Sequence, residues 1–186
     1  GSVSQDLRRE IGKLLEQSVN WKSLLRYFIS SANSSSRKKI VTRINRRFPY
    51  IRPGSKKEKQ SKIAVSIDQS ASVSDELLGQ FFGELSKLSE LTEFVVIPFD
   101  TEVDESLVYT WKKGEKRTAV RVKHGGTCFD APTKYVNDNN FNGHILLTDM
   151  EAPRPIPSKC PRIWITTESD KQQMSWNTPE LVVGVD

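Results

Sequence analysis

The 186 residues suit one domain of ordinary size with an appendage, and a 36% hydrophobic content is enough to fill a core. The net charge of +5 is unevenly spread: Arg37 to Lys62 holds 11 of the 28 basic residues and one acid, Glu58, which leaves 17 basic and 22 acidic residues for the rest. No run approaches the roughly 20 apolar residues of a membrane span, no signal peptide is visible, and Cys128 and Cys160 lack any metal-type spacing, so two free thiols in a reducing cytoplasm are expected.

Gly1-Ser2 reads as a cloning scar, so the natural protein is expected to extend further N-terminally. Leu7, Ile11, Leu14 and Leu15 recur at helical spacing and predict a helix over about 5–17. Asn20 is placed to cap a second helix whose apolar stripe is Trp21, Leu24, Leu25, Phe28 and Ile29. Ile40-Val41-Thr42 fits a strand or a helix. Phe48 to Gly54 contains two prolines, each biasing its predecessor to an extended conformation, and reads as an arm packed by Phe48, Tyr50 and Ile51. Ser55 to Ser61 reads as a charged linker. Residues 1–61 are thus expected to form a helical and basic extension packed on a main domain over 62–186.

The main domain opens with Ile63 to Asp68, an apolar β-branched run ending in a carboxylate. Val73, Leu77, Leu78, Phe81, Phe82, Leu85 and Leu88 then predict an amphipathic helix over 74–89, with Asp75 and Glu76 at the positive end of its dipole. Further strands are expected at 93–99, 103–111 (an edge), 144–149, 162–167 and 181–185, with a helix over 129–139. Strands alternating with helices predict an α/β, Rossmann-like, doubly wound and mostly parallel six-stranded sheet.

Asp68-Gln-Ser70-Ala-Ser72 places one carboxylate and two hydroxyls on a tight loop after the first strand. All three are hard oxygen ligands of the kind Mg2+ and Ca2+ select, and all three are also ordinary helix-capping residues. The later segments separate these readings. Asp149 ends another apolar strand, and Thr127 follows Gly125-Gly126, whose lack of side chains lets the backbone approach whatever fills the crevice. In an open α/β sheet ligands sit outside the carboxyl ends of the strands, where strand order reverses. Asp68, Ser70, Ser72, Thr127 and Asp149 are expected to converge there.

In order and context these five residues resemble the metal-ion-dependent adhesion site (MIDAS) of the von Willebrand factor type A (VWA) family. The resemblance narrows to the VWA-like domain found C-terminal to a metallopeptidase-like module in bacterial and phage proteins. It is carried by Trp21-x-x-Leu24-Leu25-x-x-Phe28, Asn45-Arg46-Arg47, Ser74-Asp75-Glu76-Leu77, Phe99-Asp100, His124-Gly125-Gly126-Thr127 and Thr148-Asp149. The chain departs from the family in reading Asp-Gln-Ser-Ala-Ser for Asp-Thr-Ser-Gly-Ser, and in Met150, where glycine often follows the second aspartate. The resemblance implies the VWA fold and a Mg2+ or Mn2+ site at Asp68, Ser70, Ser72, Thr127 and Asp149, one corner of which a partner's Asp or Glu completes. It also implies an adaptor role, binding rather than catalytic, beside a partner such as a MoxR-type AAA+ ATPase.

Two rival readings rest on other residues. Catalysis would recruit His124 and Cys128, or Asp68, Asp149 and Glu151 around a hydrolytic metal, but no third orienting group accompanies the first pair and no HExxH occurs. Any metallopeptidase-like activity is expected in a preceding region, and this domain is expected not to be an enzyme. A nucleic-acid-binding module would act through Arg43, Arg46, Arg47, Arg52, Lys56 and Lys57, interleaved with Phe48 and Tyr50.

Overall fold

The computed structural model describes residues 37–44, 53–57 and 62–185. The expected helices over 5–17 and 20–29, the packing of Trp21, Leu24, Phe28, Phe48 and Tyr50, and Arg46, Arg47 and Arg52 lie outside those residues.

Ahead of the main domain, β1 (Arg37–Ile44) and β2 (Pro53–Lys57) pair antiparallel, Arg37 opposite Lys57 and Lys38 opposite Lys56. This corrects the reading of 55–61 as a linker, since Ser55, Lys56 and Lys57 belong to a ladder. A ribbon of basic residues has no apolar alternation to announce it.

The main sheet has six strands: β3 (Ile63–Asp68), β4 (Phe94–Phe99), β5 (Tyr109–Trp111), β6 (Gly143–Leu147), β7 (Arg162–Thr167) and β8 (Leu181–Val185). Their order is β5-β4-β3-β6-β7-β8, and every neighbouring pair is parallel except β4–β5 at the edge. Among the described residues the α-helices are α1 (Asp75–Ser89), α2 (Asp130–Asp138) and α3 (Glu168–Gln173). Strand order reverses between β3 and β6, so the doubly wound architecture expected from the sequence is the one observed.

Side chains alternate across each strand, which divides the core in two. Ile63, Val65 and Ile67 point with Val96, Ile145 and Ile163 toward the apolar face of α1, where Leu78, Phe81, Leu85 and Leu88 are buried. The Ser74 hydroxyl caps α1 by accepting from the Leu77 N–H at 3.1 Å. On the opposite face Ala64 and Ile97 pack with Val136 of α2 and Phe141, while Phe99, Leu146 and Trp164 pack with Phe129, Met150 and Ala152.

Three boundaries differ from expectation. The edge strand is broken: Val103 makes an isolated bridge to Phe99, and the Asp104 carboxylate accepts from the Ser106 N–H at 2.9 Å, starting a 3-10 turn at Glu105–Leu107 before β5. The strand expected at 144–149 ends at Leu147; the Thr148 N–H still donates to the Ile165 carbonyl of β7 at 3.1 Å, and Asp149 lies beyond the ladder. The segment after β7 forms α3, capped by the Thr167 hydroxyl accepting from the Asp170 N–H at 3.1 Å. With six residues, α3 is too short to show a helical period.

The α2 face also carries a buried polar layer. His144 Nε2 lies 2.8 Å from the Ser66 hydroxyl, and Arg162 forks onto Glu180 at 2.7 and 3.0 Å while donating to Thr133 Oγ1 at 2.8 Å. Burial, with the nearby Arg162 charge, pushes the His144 imidazolium pKa down to about 3. The folded protein therefore keeps His144 neutral, whereas the unfolded chain takes up a proton below its ordinary value near 6.5. The resulting stability is complete above that value and lost as pH falls toward 3, at a cost of about 3 kcal/mol by pH 4. His144→Gln, which keeps a polar atom for Ser66, should flatten this limb; urea melts between pH 7 and 4 that lose stability equally in both proteins would refute the assignment.

Candidate metal centre

β3 and β6 lie side by side although β4 and β5 intervene in the chain, and the crevice beyond their C-terminal ends is the switch point of the sheet. Asp68, the last residue of β3, is fully buried. One carboxylate oxygen accepts from the Ser70 N–H at 2.9 Å, the other from the Thr148 hydroxyl at 2.6 Å. Thr148 Oγ1 also stands 3.4 Å from Asp149 Oδ1 and accepts from the Met150 N–H at 3.1 Å. Asp149 Oδ1 accepts from the Glu151 N–H at 3.1 Å, and Asp149 Oδ2 is buried without a hydrogen-bond partner among the described residues. The Ser70 and Ser72 hydroxyls lie 3.1 Å apart. The crevice therefore gathers Asp68, Ser70, Ser72 and Asp149, with Thr148 between the two acids.

A strap over residues 117–128 closes around this loop. Arg121 donates to the carbonyls of Gln69 (3.3 Å), Ser70 (2.9 Å) and Val73, and pairs with Asp75. Gln69 accepts from the Val122 N–H at 3.0 Å, and the Ala71 N–H donates to the Gly125 carbonyl at 3.2 Å. Thr127 follows two residues later, half-buried, its hydroxyl outside any hydrogen bond among the described residues. The Cys128 N–H, donating to the Asp100 carbonyl at 2.9 Å, ties down its other side.

Gly125 has a different role from the one expected. Neither Gly125 nor Gly126 has a positive φ, and a Cβ on Gly125 would lie 2.7 Å from an Asp100 carboxylate oxygen. The missing side chain makes room for Asp100, not for a ligand. Burial raises the Asp100 pKa, but the Lys123 ammonium at 2.9 Å and the Glu102 N–H outweigh it and hold the carboxyl below its usual range. Thr148 and Arg121 were not singled out from sequence. Thr148 stood within the recognised Thr148-Asp149 pair, whereas no local pattern marks an arginine that acts across 48 positions.

Met150 takes a left-handed conformation, φ 65°, where the family often has glycine, and its side chain is buried against Phe99, Leu146 and Trp164. Trp176 Nε1 donates to the Ala152 carbonyl at 2.8 Å and tethers the same loop. These contacts fix Asp149, which lies outside the ladder.

Burial is the main reason the Asp68 pKa rises to about 6; the bonds from Thr148 and Ser70 oppose it, and the charge of Asp149 adds to it. Two carboxylates, one of which has an unpartnered buried oxygen, and the hydroxyls of Ser70, Ser72 and Thr148 form an all-oxygen set of the kind that fits a hard divalent cation such as Mg2+. The residues of the catalytic rivals are less gathered. Glu151 and His124 are exposed, Cys128 and Cys160 are free thiols, and His124 and Cys128 share no hydrogen bond. Among the described residues no helix is long and apolar enough to cross a membrane.

The family described as "VWA-like domain (DUF2201)" matches residues 63–179, and the chain belongs to that family. An uncharacterized protein of Thermotoga maritima is 33% identical over 159 residues, which cover 83% of this chain and 39% of that protein. The chain thus spans about two fifths of the length of that relative. Among solved structures, the ArnB paralog VWA2 from Sulfolobus acidocaldarius aligns with a TM-score of 0.44 and 18% identity, over 57% of this chain and 34% of that one.

A buried carboxyl whose folded-state pKa exceeds its unfolded value adds stability below the unfolded value that is lost as pH rises through the folded one, here from about 4 to about 6. At pH 7 the metal-free protein therefore carries a cost of roughly 2–3 kcal/mol at Asp68. Asp68→Asn should recover about 1–2 kcal/mol of it in chelator, since the amide oxygen still accepts from Ser70. Chemical denaturation in EDTA checks this, and a variant less stable than wild type would show that the buried charge is satisfied by the fold alone.

Proposed function

We propose that this VWA-like domain is a metal-dependent protein-interaction module, an adaptor that recognises a carboxylate on its partner. The observation that carries the reading is the buried, unpartnered Asp149 Oδ2 beside Asp68 and three hydroxyl side chains at the switch point. Ser70, Ser72 and Thr127, with Asp68 and Asp149, would hold Mg2+ or Mn2+. When bound, the ion supplies an open Lewis-acidic position for an oxygen anion. The protein's own share is orientation. Thr148 keeps the acids apart and aimed, Arg121 fixes the loop carbonyls so that Ser70 and Ser72 stay on one side, and the strap presents Thr127. Two aspartates against a divalent ion leave the centre near neutral, so a partner's Asp or Glu is attracted rather than repelled. The family resemblance makes a MoxR-type AAA+ ATPase, or a substrate it remodels, the first partner to test.

A second reading, contact with nucleic acid, is favoured by one observation. The β1–β2 register sets Arg37 against Lys57 and Lys38 against Lys56, and like charges directly opposite destabilise a ladder unless an anion lies over them. Arg43, Lys56 and Lys57 belong to that hairpin. Oligonucleotide affinity falling steeply with salt, and abolished by Lys56→Glu with Lys57→Glu, would support it.

For the metal, Mg2+ or Mn2+ at a hundredfold excess over Kd should stabilise the wild type by about 2.7 kcal/mol. Asp149→Ala and Thr127→Ala should lose most of that gain while folding normally in chelator. Variants that titrate like wild type by calorimetry would remove these residues from the site. For the partner, an interaction that survives both EDTA and Asp68→Ala would refute the carboxylate mechanism.

A further inference from the structure

A cleft of about 690 Å3 opens beside the candidate metal centre, on the α1 side of the sheet. Ile67, Phe82, Pro98 and Tyr109 line it from the sheet and α1, and Val120 and Val122 line it from the strap. Those two valines are 57% and 43% exposed and, with Ile156, are the large apolar side chains most open to water among the described residues. A valine pair held in water over an apolar cleft marks a surface with something to cover.

Two features fix the kind of occupant. The first is continuity with the metal centre. Gln69, between Asp68 and Ser70, lines the cleft, and its side-chain oxygen holds the Val122 N–H at 3.0 Å. Because Gln69 is joined directly to Asp68 and Ser70, the cleft and the crevice adjoin, and an extended segment advancing about 3.3–3.6 Å per residue would serve both with residues only a few apart. The second is charge. Lys116 and Arg117 line the cleft and are exposed. Arg117 is paired with Glu115 at 2.8 Å and lies over the Tyr109 ring at 4.3 Å, but Lys116 has no carboxylate partner among the described residues, nor has the nearby Lys113. A basic rim around an apolar floor suits an apolar side chain in an acidic sequence.

We infer that the cleft is the second half of the recognition surface: it takes an aliphatic or aromatic side chain, a few residues from the metal-bound carboxylate, in an extended acidic segment of a partner protein. The inference rests on the proposed metal-dependent reading and adds the partner's sequence chemistry to it. Specificity then comes from the cleft, since a lone carboxylate on a metal would accept any acidic surface.

Selection of a randomised, phage-displayed peptide library on the wild-type chain in Mg2+, with EDTA elution, tests both halves separately. The expected consensus has an Asp or Glu, an apolar residue a few positions away and an excess of acids. A synthetic peptide of that consensus should bind Val122→Asp about tenfold more weakly, the scale of burying one apolar side chain. Lys116→Glu, an exposed change that spares the packing, should weaken it several-fold, more at low salt. Both variants should keep the Mg2+-dependent melting shift, which shows that the fold and the ion site are intact. An EDTA-eluted consensus with the acid but no apolar residue, bound equally by Val122→Asp, would overturn the cleft inference and leave the metal reading standing. Peptides that need Val122 and Lys116 yet ignore EDTA would keep the cleft and overturn the metal reading. Mg2+-dependent self-association abolished by Val122→Asp would assign the cleft to a second copy of the chain and overturn the peptide reading.

Discussion

One hydroxyl, that of Thr148, stands between two buried carboxylates, and the arrangement of the crevice depends on it. Its proton goes to Asp68 at 2.6 Å, its lone pair takes the Met150 N–H, and Asp149 lies 3.4 Å away. Without such a bridge two carboxylates at a strand end would repel each other in a region that water scarcely reaches, and one would be driven to protonate. With it, Asp68 keeps both oxygens bonded while one oxygen of Asp149 is left over. Among the described residues His144 Nδ1 and Thr166 Oγ1 are also buried without a partner, but Asp149 Oδ2 alone of the three belongs to a carboxylate.

The strap shows how the site is held from outside the sheet. Residues 117–128 form neither helix nor strand, so their backbone groups need partners elsewhere. The Val122 N–H and the Gly125 carbonyl find theirs in the Asp68–Val73 loop, and the Cys128 N–H finds its own in the Asp100 carbonyl. Arg121 satisfies three of the loop's carbonyls, and Gln69 and Ala71 exchange bonds with Val122 and Gly125. Loop and strap thus order each other, and a partner touching the strap at Val120 or Val122 touches a segment bonded directly to the loop carrying Ser70 and Ser72. The Lys123–Asp100 pair, mostly buried on both sides, anchors the strap to the end of β4.

The parts of this molecule legible in the sequence are those written in local periodicity. β3, β4, β6, β7 and β8 are largely apolar runs bounded by polar turns, and α1 carries its apolar face at helical spacing from Leu77 to Leu88. Asp68, Ser70, Ser72 and Asp149 are legible as neighbours because the position of a strand end is itself local. The rest was hidden for identifiable reasons. The β1–β2 hairpin carries charge where alternation would show, α3 spans under two turns, and the 3-10 turn before β5 is nucleated by one Asp104 carboxylate. Arg121 and Gly125 act on residues far away in the chain, Arg121 on the Asp68–Val73 loop and Gly125 on Asp100, and a single sequence does not record such pairings.

The strand that carries Asp68 is less uniformly apolar than its composition suggests, and the difference explains why the site lies where it does. Ile63, Val65 and Ile67 belong to the dry face under α1, while Ala64, Ser66 and Asp68 turn to the α2 face. Along that second face polarity rises toward the C-terminal end: alanine in the core, then Ser66 satisfied by His144, then Asp68 satisfied by Thr148 and Ser70. Each polar group has its own partner, so the gradient does not breach the core. The α1 face stays apolar to the end of the strand, where Ile67 lines the cleft. The two faces of one strand therefore end in two different surfaces a residue apart, the buried Asp68 carboxylate on one and the cleft wall at Ile67 on the other. A two-part recognition element needs no more than the alternation of a β-strand to place its halves side by side.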